Sequence, residues 1–319
     1  MLLRFVLWMF SAVLMLLGAS GACGQGYPTK PIRIVTPGSG GGADFAARLI
    51  APGLTAGLGQ RVIVDNRPSA VIPGEIVSKA PPDGYTLLIY GPPFWIGPLL
   101  QKTPYDPVRD FQPITAAVRQ PNILVVHPSL PVKSVKELIA LAKARPGALN
   151  YASIATGSSS HLAGELFKAM TGVSLVRISY KGSGAALVAL LAGEVELSFA
   201  NAVSVMGAVR SGKLRALAVT TAQPSPLAPG LPTVAASGLP GYESVIITAV
   251  FAPAATPAAI IHRLNREIVA VLNKADIKEK FFNAGSEVVG SSPEELTATI
   301  KSEMSRMSKV IKEAGIKAD

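Results

Sequence analysis

One kind of junction, repeated, constrains this chain more than any other feature: a short β-rich run, a loop of glycine and serine, then a helical pattern. It occurs in IRIVTPGSGGGADFAARL (residues 32–49), again in YASIATGSSSHLAGELF (residues 151–167) and a third time in ISYKGSGAAL (residues 178–187). Strands alternating with helices build a mostly parallel sheet with helices on both faces. Ligands of such α/β sheets bind at the carboxyl ends of strands, where all three loops fall.

The alternation divides into two blocks. IRIV, a helix over 44–58, RVIV, a helix over 74–79 and TLLIY make the first. The second runs from the amphipathic helix at 134–144 through LNYAS, HLAGELFKAM, SLVRIS, GAALVALLAG, VELSFA and VSVMGAVRSG to LRALAVT. Apolar strands at NILVV and SVIITAVFAP stand after each block, and helical patterns follow at 257–273, 277–284 and 293–314. The first block holds three strands and is unfinished, so the C-terminal helices are expected to return to it. The expected organisation is a discontinuous first lobe (25–126 and 247–319), a continuous second lobe (127–246) and two strand crossings between them. Such crossings permit hinge bending, and a cleft lies between the lobes.

Residues 1–24 read as a secretory signal peptide. Arg4 opens it, an apolar run broken only by Ser11 follows, and GASGACG supplies small residues. Cleavage before Gln25 is the preferred reading, and a lipid anchor at Cys23 is the alternative. Either way the protein is exported, to the periplasm. Cys23 is the only cysteine, so the cleaved chain has no disulfide, thiolate nucleophile or cysteine-built metal site. The net charge of +10 comes from dispersed lysines and arginines, without the basic clusters that bind nucleic acid. The three histidines are far apart and form no i, i+4 pair, so no metal site is expected.

Amides at a helix N-terminus are unsatisfied donors carrying about half a positive charge, which stabilises a small anion without any basic side chain. In the first junction the candidates are Pro37, Gly38, Ser39, Gly40, Gly41 and Gly42, with Asp44 either a ligand contact or a residue of the helix start. In the second they are Thr156, Gly157, Ser158 and Ser159 with His161, which also reads as a capping or packing residue. Tyr180 belongs to the third junction. Ser69, Asn201 and Phe94 are further candidates near strand ends, with core packing as the alternative for Phe94. Gly38, Gly40 and Ala43 also fit the G-x-G-x-x-A dinucleotide fingerprint, and Asp65 stands where a ribose-binding acid would, so an NAD-dependent oxidoreductase is the rival reading. Ser158 and His161 lack a G-x-S-x-G elbow, and no enzymatic chemistry is expected.

YPTKPIRIV, GGADFAARL, VDNRP, PPDGYTLL, YDPVRDF, GSSSHLAGELF, YKG, GKLRALAVT, LPTVAASGLPGY and APAATP occur in an order and spacing that resembles the solute receptors of tripartite tricarboxylate transporters, the Bug family. The resemblance implies a type II periplasmic-binding-protein fold, two α/β lobes closing on a small carboxylate, with no cofactor. It implies a first-lobe loop, here Pro37–Gly42, that holds one carboxylate through backbone amides. Asp44 then matches the aspartate that contacts the ligand's amino group in amino-acid-binding members, and Thr156–Ser160 with His161 match the second-lobe loop. The implied partners are a two-subunit membrane permease or a membrane sensor. Departures are Ala155 for a usual glycine, Ala200 for a common aspartate and the apolar 69–74 segment, which imply a less polar pocket.

Overall fold

A computed structural model describes residues 26–316 except Ala155 and Ala314; the expected leader lies outside the described residues. The elements run β1 (Ile32–Thr36), α1 (Gly42–Leu58), β2 (Val62–Asn66), α2 (Ile72–Ser78), β3 (Thr86–Tyr90), α3 (Pro93–Leu100) and β4 (Phe111–Val126). Next come α4 (Val135–Ala144), β5 (Leu149–Ser153), α5 (Ser159–Thr171), β6 (Leu175–Ser179), α6 (Ser183–Ala192), β7 (Leu197–Asn201), α7 (Ala202–Arg210) and β8 (Arg215–Val219). The chain closes with β9 (Val245–Pro253), α8 (Ala258–Leu272), α9 (Ala275–Asn283), β10 (Glu287–Val288) and α10 (Pro293–Glu313).

The strand order is β2-β1-β3-β9-β4-β7-β5-β6, with β8 and β10 also on β4. Two parallel sub-sheets, β2-β1-β3 and β7-β5-β6, are therefore joined through the antiparallel pair β9-β4. β4 makes the join because its two halves take different partners. Residues 111–121 pair with β9, and 122–126 pair with β7 and β8.

The pairing directions fix where the junctions point. β1 is parallel to β3, and β3 and β4 are both antiparallel to β9, so β1 runs with β4 toward its partner change. β7 is antiparallel to β4 and parallel to β5, so β5 runs back toward the same place. The carboxyl ends of β1 and β5 thus converge on the crossing from opposite sides. This is the two-lobed periplasmic-binding architecture.

The sequence reading begins the first connecting strand at Asn122, whereas β4 starts at Phe111. Pro113 and Pro121 obscured it, since proline cannot donate to a ladder. Pro113 sits at a register shift, and Pro121 at the partner change, where the ladder tolerates a missing donor. Helix α3 was also unannounced, because PPFWIGPLL reads as a proline-rich turn; its first prolines occupy the opening turn, where no N–H is needed.

Side chains pack on both faces. Ile34, Ile50, Leu54, Ile268 and Phe281 form one core in the first lobe, and Ile123, Leu190, Val205 and Val219 a smaller one in the second. A third core runs continuously from Phe94 and Phe251 to Tyr151, Phe167 and Phe199, so it spans both lobes, and α10 contributes Ile300 and Met307 to it.

Candidate ligand-binding site

The first junction is clasped by Asn66, at the end of β2. Its Nδ2 donates to Thr36 Oγ1 (2.9 Å), to the Pro37 carbonyl (3.2 Å) and to Asp44 Oδ1 (2.8 Å). Asp44 is buried; its Oδ2 accepts from the Gly40 N–H at 2.9 Å and from Arg48 Nε at 3.1 Å. Burial opposes ionisation of Asp44, but the bonds from Arg48, Gly40 and Asn66 outweigh it and hold the carboxyl below its ordinary range. Gly40 has φ of +82°, a left-handed conformation that glycine adopts without strain. Both carboxylate oxygens of Asp44 thus accept hydrogen bonds from the loop and its neighbours. The amides of Gly42 and Ala43, the first two of α1, have no carbonyl partner among the described residues.

The second junction is braced from behind by Arg177 of β6. Its guanidinium donates to Ser153 Oγ (2.7 Å), Thr156 Oγ1 (3.0 Å) and the Ile154 carbonyl (3.0 Å). Ser158 caps α5, its Oγ accepting from the His161 N–H. His161 is buried, and its Nδ1 accepts from the Gly157 N–H at 3.1 Å. It holds the loop from within rather than lining the cavity.

The two junctions share one cavity of about 650 Å³. Pro37 and Gly38 line it from the first lobe with Ser69 and Tyr90, and Thr156, Gly157 and Ser158 from the second. Between them Pro93, Ile96 and Leu100 of α3 supply an apolar wall. No charged residue is among the described residues that line it. Tyr90 stays neutral, because burial pushes its hydroxyl up to about 12. Ser69 Oγ accepts from the Val71 and Ile72 amides, leaving its own proton to donate.

The remaining candidates are placed elsewhere. Ser39, Gly40, Gly41 and Gly42 are exposed, outside the lining. Phe94 has no exposed surface and lies among Tyr105, Phe111 and Phe251 in the core; Pro93 and Ile96 of the same helix line the cavity instead. Tyr180 packs against the second lobe's core. Ser159 and Asn201 line a second, smaller cavity of about 280 Å³ with Ala200 and Ile246. Asp65 is held by Arg33 and Arg67, so it offers no free carboxylate to a ribose, and the first lobe lacks the 3-2-1-4-5-6 strand order of dinucleotide folds.

Three site-building residues escaped the sequence reading. Asn66 stood in the VDNRP fragment without a role, Arg177 was hidden in a strand, and Gln120 looked like an ordinary strand residue. Gln120 Oε1 accepts from Asn201 Nδ2 at 3.1 Å, while its Nε2 donates to Ser286 Oγ at 2.6 Å. The same Nε2 stands 4.0 Å from where a Cβ on Gly42 would be. Its signal was its place beside Pro121, at the crossing.

A sequence model described as the tripartite tricarboxylate transporter family receptor matches residues 46–316. The chain belongs to this family. Protein BugT of Bordetella pertussis is 38% identical over 297 residues, covering 91% of each chain. A Rhodopseudomonas palustris protein solved with adipate is 40% identical, with a TM-score of 0.75 over 92% of this chain and all of that one. MatC from the same organism, solved with bound malate, is 28% identical, with a TM-score of 0.71 over 89% of this chain and all of that one. Members of the family are periplasmic solute receptors, and no helix among the described residues is long and apolar enough to cross a membrane.

Proposed function

We propose that this receptor is exported, binds a small organic carboxylate between its lobes, closes around it and delivers it to a two-subunit membrane permease. The observation that carries the reading is the convergence of two strand-to-helix junctions on one cavity with no charged lining. An anion there is held by main-chain amides, serine and threonine hydroxyls and helix dipoles, each charge-assisted bond contributing about 1.5–3 kcal/mol. Several such bonds suffice for a micromolar complex, which needs about 8 kcal/mol. The apolar wall from α3 favours an aliphatic or aromatic body on the acid. Adipate in the 40%-identical relative and malate in MatC support this ligand class.

The lobes of the proposal are residues 25–126 with 247–319, and residues 127–246. The test is a thermal-shift screen of the purified receptor against mono-, di- and tricarboxylates, aromatic acids and amino acids, with NAD as the rival. A rise in Tm with a carboxylate and none with NAD is expected. A rise with NAD alone overturns the reading.

A further inference from the structure

Helix α3 has two faces with different duties. Pro93, Ile96, Gly97 and Leu100 line the cavity, while Trp95 points the other way and is fully buried. The Trp95 indole N–H donates to Glu303 Oε2 of α10 at 2.9 Å. Beyond it stands Arg306, whose Nε is buried without a hydrogen-bond partner and whose Nη1 lies 3.7 Å from Glu243. Helix α10 packs against α3 of the first lobe and α5 of the second. Beside Glu243, the Tyr242 hydroxyl donates to the Ala163 carbonyl of α5. A partly buried carboxyl group therefore sits where the cavity wall, the C-terminal helix and the second lobe meet.

We propose that Glu303 is a positioning residue for the cavity: its protonation state, acting through Trp95, sets how firmly α3 is held. Burial pushes the Glu303 carboxyl up to about 7; the Trp95 bond and Arg306 pull it down, and Glu243 pushes it up. Several charged groups on the elements packed against α10 are directed elsewhere. On α5, Glu165 is bound by Lys168 and Tyr151. On α8, Arg263 turns to the Tyr27 carbonyl and Glu267 toward Gly57. On β4, Arg119 pairs with Glu287. Proton loss at Glu303 creates a buried anion that the Trp95 N–H and Arg306 favour but that burial penalises more, so an opening of α3 that hydrates Glu303 becomes easier as pH rises. Arg306 is then drawn from Glu243 toward Glu303, and the set of contacts supporting Trp95 changes. For an anionic ligand, the added negative charge behind α3 also disfavours binding.

Trp95 is the only tryptophan after residue 24, so it reports on its own partner. The test uses the ligand-free receptor between pH 5.5 and 8.5. Trp95 fluorescence should titrate with a midpoint near 7, and amide hydrogen exchange of residues 93–100, corrected for intrinsic rate, should rise several-fold across the same interval. Glu303→Gln should abolish both transitions, and Glu243→Gln, which keeps Glu303 and removes the neighbouring negative charge, should move the midpoint downward. A fluorescence transition that is absent, that survives Glu303→Gln, or that occurs without a change in exchange of 93–100 overturns the proposal. The consequence for affinity rests on the proposed carboxylate site: adipate should bind roughly tenfold more weakly at pH 8 than at pH 6, and Glu303→Gln should remove that dependence. Failure of adipate to bind at any pH counts against the proposed function, while the ligand-free titration still decides the role of Glu303.

Discussion

Gly157 and Leu100 approach each other across the cleft so closely that a Cβ on Gly157 would stand 2.7 Å from Leu100 Cδ1. Gly157 also has φ of +77°, which costs an L-residue about 1–2 kcal/mol. Gly157→Ala should therefore destabilise the protein by about that amount and weaken carboxylate binding at least tenfold. Denaturant melts and calorimetry measure the two effects. Adding Leu100→Ala should recover part of the affinity, because it removes the clash, and little of the stability, because the backbone strain remains.

Asp44 is fully engaged by Gly40, Asn66 and Arg48, so its loss loosens the first junction for every ligand. Asp44→Ala should cost about 1–3 kcal/mol, the range for stripping a partner from buried polar groups. It should weaken amino-acid and plain carboxylate ligands by similar factors. Selective loss of the ammonium-bearing ligands in a calorimetric series would instead assign Asp44 to ligand contact.

Stability should peak in mildly acidic solution, because two kinds of carboxyl group pull in opposite directions. Asp44 is buried and Asp65 half-buried, which opposes ionisation, yet their arginine and amide partners hold both below the ordinary range. The stability they contribute is present above the unfolded-state value, near 4, and is lost as pH falls through their folded-state values. Glu303 is raised from 4.5 to about 7, so its contribution is full below 4.5 and is lost as pH rises toward 7. Tm should be highest at about pH 5 and fall on either side. Glu303→Gln should flatten the decline toward pH 7 and leave the acid limb in place.

The sequence carried the junctions because glycine, serine and N-cap patterns are local signals, and the structure places Pro37–Gly38 opposite Thr156–Ser158 in one cavity. Phe94 was misplaced because its helix was hidden behind its prolines; once α3 forms, the helical period sends Phe94 inward and Ile96 and Leu100 toward the cavity. The supports escaped for a different reason. Asn66 is 30 residues from Thr36, Arg177 is 21 from Thr156, and Gln120 is 166 from Ser286, so no local pattern announces those hydrogen bonds. They arise from the order of strands.

The Gln120 side chain bridges Asn201, at the head of α7, and Ser286, beside β10, while itself lying next to the crossing at Pro121. In the closure proposed above the lobes rotate about β4 and the return into β9, so a bridge at this point would restrain the rotation. The crossing itself does not depend on Gln120. Thr220 donates its N–H to the Asn122 carbonyl at 3.0 Å, and its carbonyl accepts from Ser244 at 2.9 Å, which ties the two connections together. Gln120→Ala should therefore leave the fold intact and release the ligand-free lobes. Small-angle scattering should give a larger radius of gyration than the unmodified receptor without ligand, and the same radius at saturation. Affinity should fall by a few-fold, since more of the ligand's binding energy goes into closing a wider cleft. An unchanged ligand-free radius would mean that the β-ladder between β4 and β9, rather than this bridge, sets the resting angle.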